Sequence, residues 1–322
     1  MKQLKLSTIT LCSFALFSGI TQAAEQPADR SRVAFFTLGA GHLPKPDSDT
    51  LLINYIHNDW DELTDGSGDD RPGFNKVSSK SRGMAIGYLA MTDKKLFGAD
   101  YGYSFVVPYF DVTIDHELNT PYGNIPIYGE HKDVVGLFVS PIMLAWRGNE
   151  TNPLHQNFRV NIGAPVAKYD EDNPANVARD YFSVEAAYQN TYNFAPTWDW
   201  STGISYQYNF KNMHNKHPQV VGPDGKYQNG DMLTVNTAVG KNFGLVSAGI
   251  AGYWIEQLSK DTISGEDVEG QRQRTAGIGP VVSVMIPTKN SFNMVHLKYS
   301  KGLSSKEGVT GDFFNIFLTH TF

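Results

Sequence analysis

Cysteine is almost missing. The only one of 322 residues is Cys12, inside the first apolar stretch, so once that stretch is removed neither disulfides nor cysteine metal sites are possible. Basic charge is also short. The net charge is −6, and −6 − 2 = −8 without Lys2 and Lys5, which argues against a nucleic-acid partner. Beyond residue 20 no run approaches the ~20 apolar residues of a membrane helix. About 300 residues would suggest roughly two domains in a soluble protein. Yet no Pro/Ser linker, composition shift or low-complexity tract marks a boundary. Catalytic signatures are absent too: no Gly-x-Ser-x-Gly elbow, GxGxxG fingerprint or Walker loop occurs.

The start reads as an export signal. Lys2 and Lys5 give a basic end, Leu6 to Ile20 an apolar stretch, and Thr21-Gln22-Ala23 a small-x-small cleavage site. Residues 1–23 are therefore expected to be a signal peptide. Leu11 before Cys12, and the apolar run beyond it, fit a lipoprotein signal poorly.

Mean hydropathy is −0.32, yet aromatics reach 12% and glycines number 30. Strands whose two faces meet lipid and a wet lumen have this composition. The clearest strand is Trp198 to Phe210. Trp198, Trp200, Ile204, Tyr206, Tyr208 and Phe210 share one face, while Asp199, Ser201, Ser205, Gln207 and Asn209 share the other. Its aromatics sit at both ends of the apolar face, as interface girdles do.

The final residues behave alike. Phe314, Ile316, Leu318, His320 and Phe322 oppose Asn315, Phe317, Thr319 and Thr321. A last residue that is itself part of a strand suits a closed barrel, whose last strand must pair with its first. Similar segments recur near 50–60, 80–92, 100–114, 132–146, 156–169, 180–194, 230–243, 245–259, 272–286 and 291–301. Those at 134–145 and 245–255 are ambiguous in face. With 197–210 and 312–322 the count is twelve, even as a single-chain barrel requires.

The connections add an independent pattern. Residues 61–79, 115–131, 170–179, 211–229, 260–271 and 302–311 are long and polar. Those between, such as Ala195-Pro196, Gly244 and Thr288-Lys289-Asn290, are shorter. Alternating long and short connections are the extracellular loops and periplasmic turns of an outer-membrane barrel, and they put both termini in the periplasm. The expectation is an all-β chain: a transmembrane antiparallel up-and-down β-barrel of about twelve strands over 50–322, in the outer membrane of a Gram-negative bacterium. Pro108, Pro141, Pro165 and Pro280 fall inside proposed strands, where proline cannot donate to a ladder. They imply local bulges, or a distortion that opens a side path.

A set of short motifs in order carries a family resemblance. Val139-Ser-Pro141 is followed by Ala164-Pro165 to Tyr169-Asp170, Tyr181-Phe-Ser-Val-Glu185, and Gln228-Asn-Gly-Asp231. Then come Gly249-Ile-Ala-Gly-Tyr253 to Gln257, Gly277-Ile-Gly-Pro280, Leu297-Lys-Tyr299 and the Phe-ended strand. Over roughly 130–322, with an echo at Gly39-Ala-Gly-His-Leu-Pro44, the chain resembles the phenol meta-pathway degradation protein-like family, the SphA-type outer-membrane proteins. The family's usual Pro-Thr-Gly before Tyr-Asp is replaced by Pro165-Val-Ala-Lys168, so no role of that turn carries over. The resemblance implies a barrel that passes hydrophobic or aromatic compounds inward, not a degradative enzyme.

If apolar positions face lipid, then Arg159, Asn161, Glu185, Gln189 and Lys298 face the lumen, since Arg or Lys on the lipid side would cost ~2–4 kcal/mol near the midplane. They either set what passes or form an ion-pair network that only stabilises the barrel. Glu256 and Gln257 are neighbours, so one alone points inward. Twelve strands fall between barrels that side chains fill and those that leave a channel, so the lumen is expected to be narrow. Residues 24–49 are too long for a tail. They read as a plug entering from the periplasm, with His42 among its contacts, or as a first strand or loose leader.

Asp65-Gly-Ser-Gly-Asp-Asp70 lacks the full spacing of a calcium loop and reads as a solvated acidic loop. His214-x-x-His217 lacks a third zinc ligand. Asp115 and His116 are strand neighbours that point apart, so a barrel hydrolase is disfavoured. The expected function is passive uptake of small hydrophobic, including aromatic, compounds. A narrow general porin for polar solutes and a structural or adhesion barrel are the alternatives. The expected partners are outer-membrane lipid and lipopolysaccharide, a small apolar solute, and assembly machinery recognising Phe322. No cofactor is implied.

Overall fold

A computed structural model describes residues 36–169, 173–177, 179–213, 226–267, 272–289 and 291–322. The expected signal peptide, residues 24–35 and His214-x-x-His217 lie outside these. Twelve strands form the wall. They are β1 Ser48–Leu63, β2 Ser79–Leu96, β3 Ala99–Thr120, β4 in two runs (Gly123–Val134 and Leu137–Trp146), β5 Leu154–Ala164 and β6 Ser183–Ala195. They continue as β7 Trp198–Asn209, β8 Met232–Asn242, β9 Val246–Gln257, β10 Arg274–Pro287, β11 Phe292–Lys306 and β12 Val309–Thr321. Each pairs antiparallel with its sequence neighbours. β12 returns to β1, with Thr50 opposite Thr321 and Leu63 opposite Val309. The sheet is closed, so no edge is left to face lipid.

Alternation decides which face is which. Along β1 the exposed Leu51, Ile53 and Tyr55 alternate with buried Thr50, Asn54 and Ile56. On β12 Phe314 and Leu318 face out, while Asn315 and Thr321 are buried. His320 lies on the outer side, as the sequence places it, and its Nδ1 is paired with the Asn293 Oδ1 at 2.8 Å. That pairing spares a polar ring the cost of bare hydrocarbon. Tyrosine–aspartate pairs mark the ends of the apolar band: Tyr88–Asp49 near the periplasm, and Tyr206–Asp231 (2.6 Å) and Tyr299–Asp312 (2.9 Å) on the extracellular side.

Two connections expected as long loops are strand instead. β3 and β4 run on as a ladder from Tyr109 opposite Val134 to Thr120 opposite Gly123, so 115–131 is a hairpin standing above the barrel. β11 and β12 likewise close over Glu307-Gly308 alone, within 302–311. Hydrogen-bonded ladder satisfies these polar segments' backbones as well as water would.

The ambiguous faces at 134–145 have a cause. Burial falls on Ile127 and Gly129 in the upper run of β4, on Ser140 in the middle, and on Met143 and Ala145 below. The phase flips at the Val135-Gly136 break and again at Pro141, where the register with β5 shifts between Val139 and Ile142. Pro108 faces the first break, and its carbonyl accepts the Val135 amide at 2.9 Å. Pro165 follows the end of β5, and Pro280 sits where the β10–β11 ladder passes from Ile278 to Val281. Each of these four prolines therefore faces a gap, a register break or a strand end on one side.

Candidate functional site

The lumen is obstructed from both ends. From the periplasmic side, the chain before β1 climbs the inner wall, and its backbone is held by polar side chains of β5 to β7. The Gly39 amide donates to Ser201 Oγ (3.0 Å), the Gly41 amide to Thr191 Oγ1 (2.8 Å), and Asn157 Nδ2 to the Ala40 carbonyl (2.8 Å). Arg147 donates to the carbonyls of Leu43 (3.0 Å) and Pro44, while Asp100 holds the same guanidinium at 2.7 Å. These bonds satisfy an unpaired backbone inside the barrel.

Apolar contacts fix the upper part of the segment. Phe36 and Leu38 bury against Ala238, Ala251 and Val281. Leu38 lies over Gly240, where a Cβ would come within 2.6 Å of it, and Phe36 lies over Gly203. Ala251 and Ile255 are buried on the inner face of β9, which explains the ambiguous pattern at 245–255: here the lumen side is apolar too. Gln257 points inward to Asp261 (2.7 Å) and Glu256 points out to Arg274.

From the extracellular side, the β5–β6 connection folds into the mouth. Val177, 1% exposed, packs against Ile56 of β1, Phe110 of β3 and Phe313 of β12. These strands lie in the wall away from β5 and β6, so the connection reaches them by entering the lumen. The Val177 amide donates to His131 Nδ1 at 3.1 Å.

A cavity of about 670 Å³ shares Ile56 and Phe110 with the Val177 cluster and continues beside the N-terminal segment to Asn242, Phe292 and Thr321 at the periplasmic end. Ile56, Val106, Phe110, Phe138 and Phe317 give it apolar walls. Arg159, Asn161, Glu185, Gln189 and His42 all border it. Arg159 donates to Gln189, Ser140 Oγ to Asn161 Oδ1 (2.5 Å), and Asn161 Nδ2 to Glu185 Oε1 (2.5 Å). Lys298 is inside the barrel but turned to the N-terminal segment. Its ammonium donates to the Phe36 carbonyl at 3.3 Å and lies between the rings of Phe36 and Phe313. His42 stacks on His155, ring centroids 3.9 Å apart. Desolvation by the surrounding wall, with His155 and Arg147 adding, pushes its pKa down to about 4. Its ring is still open to the cavity, where water moderates that shift.

Arg147, Asn157, Thr191 and Ser201 went unrecognised in the sequence, as did the inward fold of Val177. The available signal was glycine at inward strand positions, Gly203 and Gly240, where another backbone or side chain approaches closely.

Two other motifs resolve into local structure. Asp65 Oδ1 accepts the amides of Ser67 (2.8 Å), Gly68 (3.1 Å) and Asp69 (3.2 Å), so this carboxylate caps its own turn. Asp115 pairs outward with Lys76 while His116 turns inward to Ser79 Oγ at 3.4 Å. The Ser78 amide donates to His116 Nδ1 (3.2 Å). That leaves the proton on Nε2, so in this arrangement the ring cannot take one from Ser79.

The family model for the MetA-pathway of phenol degradation matches residues 60–316. The chain belongs to this family. No curated protein sequence matches it. Among solved structures it is similar to the COG4313 outer membrane channel from Pseudomonas putida F1. That match has 13% identity and a TM-score of 0.64, and covers 89% of this chain and 98% of that one. The β domain of the Bordetella autotransporter BrkA is less similar, at 13% identity and a TM-score of 0.47, covering 86% of this chain and 100% of that one. The first match shows a shared outer-membrane barrel fold. This family member is accordingly an outer-membrane barrel.

Proposed function

We propose that this barrel lets small hydrophobic molecules, aromatic ones among them, cross the outer membrane by passive diffusion. The observation that carries the reading is the cavity of about 670 Å³, walled by Phe110, Phe138, Ile56 and Phe317, with the Val177 cluster above it and Phe36–Pro44 lining its lower part. Apolar walls with a few convergent polar groups are what a small-molecule site requires. A general porin for polar solutes would need a wide aqueous path, and both inward segments narrow the one present. Membership in a family named for phenol degradation and likeness to an outer membrane channel support the same reading.

In this reading residues 36–47 are a plug that yields to let a solute pass, and the polar lining orients that solute. The test is uptake of labelled toluene at low concentration by cells with and without the gene. Uptake is expected to fall several-fold on deletion and to return on complementation. Equal uptake would refute the transport role. Swelling of barrel-containing liposomes in small sugars would instead favour the general porin.

A further inference from the structure

Arg159 is a cation inside the barrel that makes no direct ion pair with a described residue, although the charge of Glu185 acts on it through space. Its position on β5 faces Ala187 of β6, which offers no acceptor. The guanidinium leans towards Gln189 and donates to that neutral amide oxygen. Among the described residues no carboxylate is within ion-pair reach of it. The two carboxylates that border the cavity are engaged elsewhere. Glu185 accepts from Asn161 at 2.5 Å, one inward position further towards the extracellular side. Asp199 accepts from Ser201 at 3.3 Å near the periplasmic end.

A guanidinium has five N–H groups in a planar fork that matches a carboxylate. Offset only through space by Glu185, it keeps a desolvation cost in a partly apolar chamber, and an incoming carboxylate relieves that cost through two charge-assisted bonds. Phe110, Phe138 and Val106 line the same cavity and give an aromatic body its apolar surface.

We propose that the cavity selects an aromatic monocarboxylate, with its carboxylate on Arg159 and its ring against the Phe110–Phe138 wall. This deepens, and rests on, the reading that small apolar solutes pass through the lumen. Glu185 opposes an anion on the extracellular approach, so it sets how easily the ligand reaches Arg159 rather than holding it.

The probes are sodium benzoate and its neutral near-isostere benzyl alcohol. Binding is measured at neutral pH by equilibrium dialysis against the full mature barrel in nanodiscs, with empty nanodiscs subtracted. Benzoate is expected to bind at least tenfold more tightly than benzyl alcohol. Arg159→Gln should cut the benzoate-to-benzyl alcohol ratio at least tenfold. Arg159→Lys should restore part of it, and Glu185→Gln should raise it. Heat-shifted gel mobility reports that each variant has folded, and the Lys variant keeps the test decisive if Arg159→Gln does not fold. Equal affinity for the two probes, or a ratio unmoved by either Arg159 variant, would overturn the inference. Binding of benzyl alcohol alone would sink this inference and leave the hydrophobic channel standing. Binding of neither would remove both.

Discussion

Gly41 sits tightly against the lumen wall: a Cβ there would overlap the Thr191 amide and the His155 carbonyl, both backbone and neither free to move. Gly41→Val is therefore expected to lift the segment off the β5–β6 wall and raise single-channel conductance modestly, no further than removal of the segment would, without loss of the folded barrel. An unchanged conductance would mean that the segment does not limit flow. His42 adds a pH dependence. Its seated pKa of about 4 lies below the ordinary 6.5, so the neutral ring favours the seated state. That contribution is complete above pH 6.5 and is lost as pH falls towards about 4, because the released ring takes up a proton first. Conductance is expected to rise over that window and to flatten in His42→Phe, which keeps a ring on His155 without titrating. A flat profile in the unmodified protein would contradict this. The sequence named His42 among the contacts of a plug, but neither residue's partner was legible, because both partners lie more than a hundred positions away.

The strands were far more legible than the contacts between them. Alternation located all twelve because lipid punishes a polar outward residue at every position, leaving a regular imprint. It blurred where the lumen face is apolar, as at Ala251 and Ile255, and where β4 changes phase at Gly136 and Pro141. Nothing in a period-two pattern distinguishes an inner face packed on a plug from an outer face in lipid. Loop polarity misled at 115–131 because ladder above the bilayer is as polar as loop. The N-terminal segment and the β5–β6 connection obstruct the lumen from opposite ends, so their removal should have separable effects. Deletion of residues 36–46 is expected to raise ion conductance only modestly while Val177 still caps the mouth. The deletion combined with Val177→Asp should give a markedly larger pore, read in planar bilayers. Equal conductance of the single and double variants would show that Val177 closes nothing.

The whole molecule is a sheet without edges, joined at the β1–β12 seam by a ladder of 13 residue pairs from Thr50 opposite Thr321 to Leu63 opposite Val309. Such closure resists detergent, so an unheated sample should migrate differently from a boiled one on a gel. Identical migration would count against a stable barrel. Within that wall, two inward-folded segments narrow a partly apolar chamber, and the account stands on what this chamber admits. Paired flux through proteoliposomes holding the mature barrel tests it most directly, with labelled toluene and labelled arabinose measured in the same vesicles and corrected for protein-free ones. The expected result is protein-dependent toluene flux exceeding arabinose flux at least tenfold. Arabinose flux equal to or above that of toluene would contradict the account.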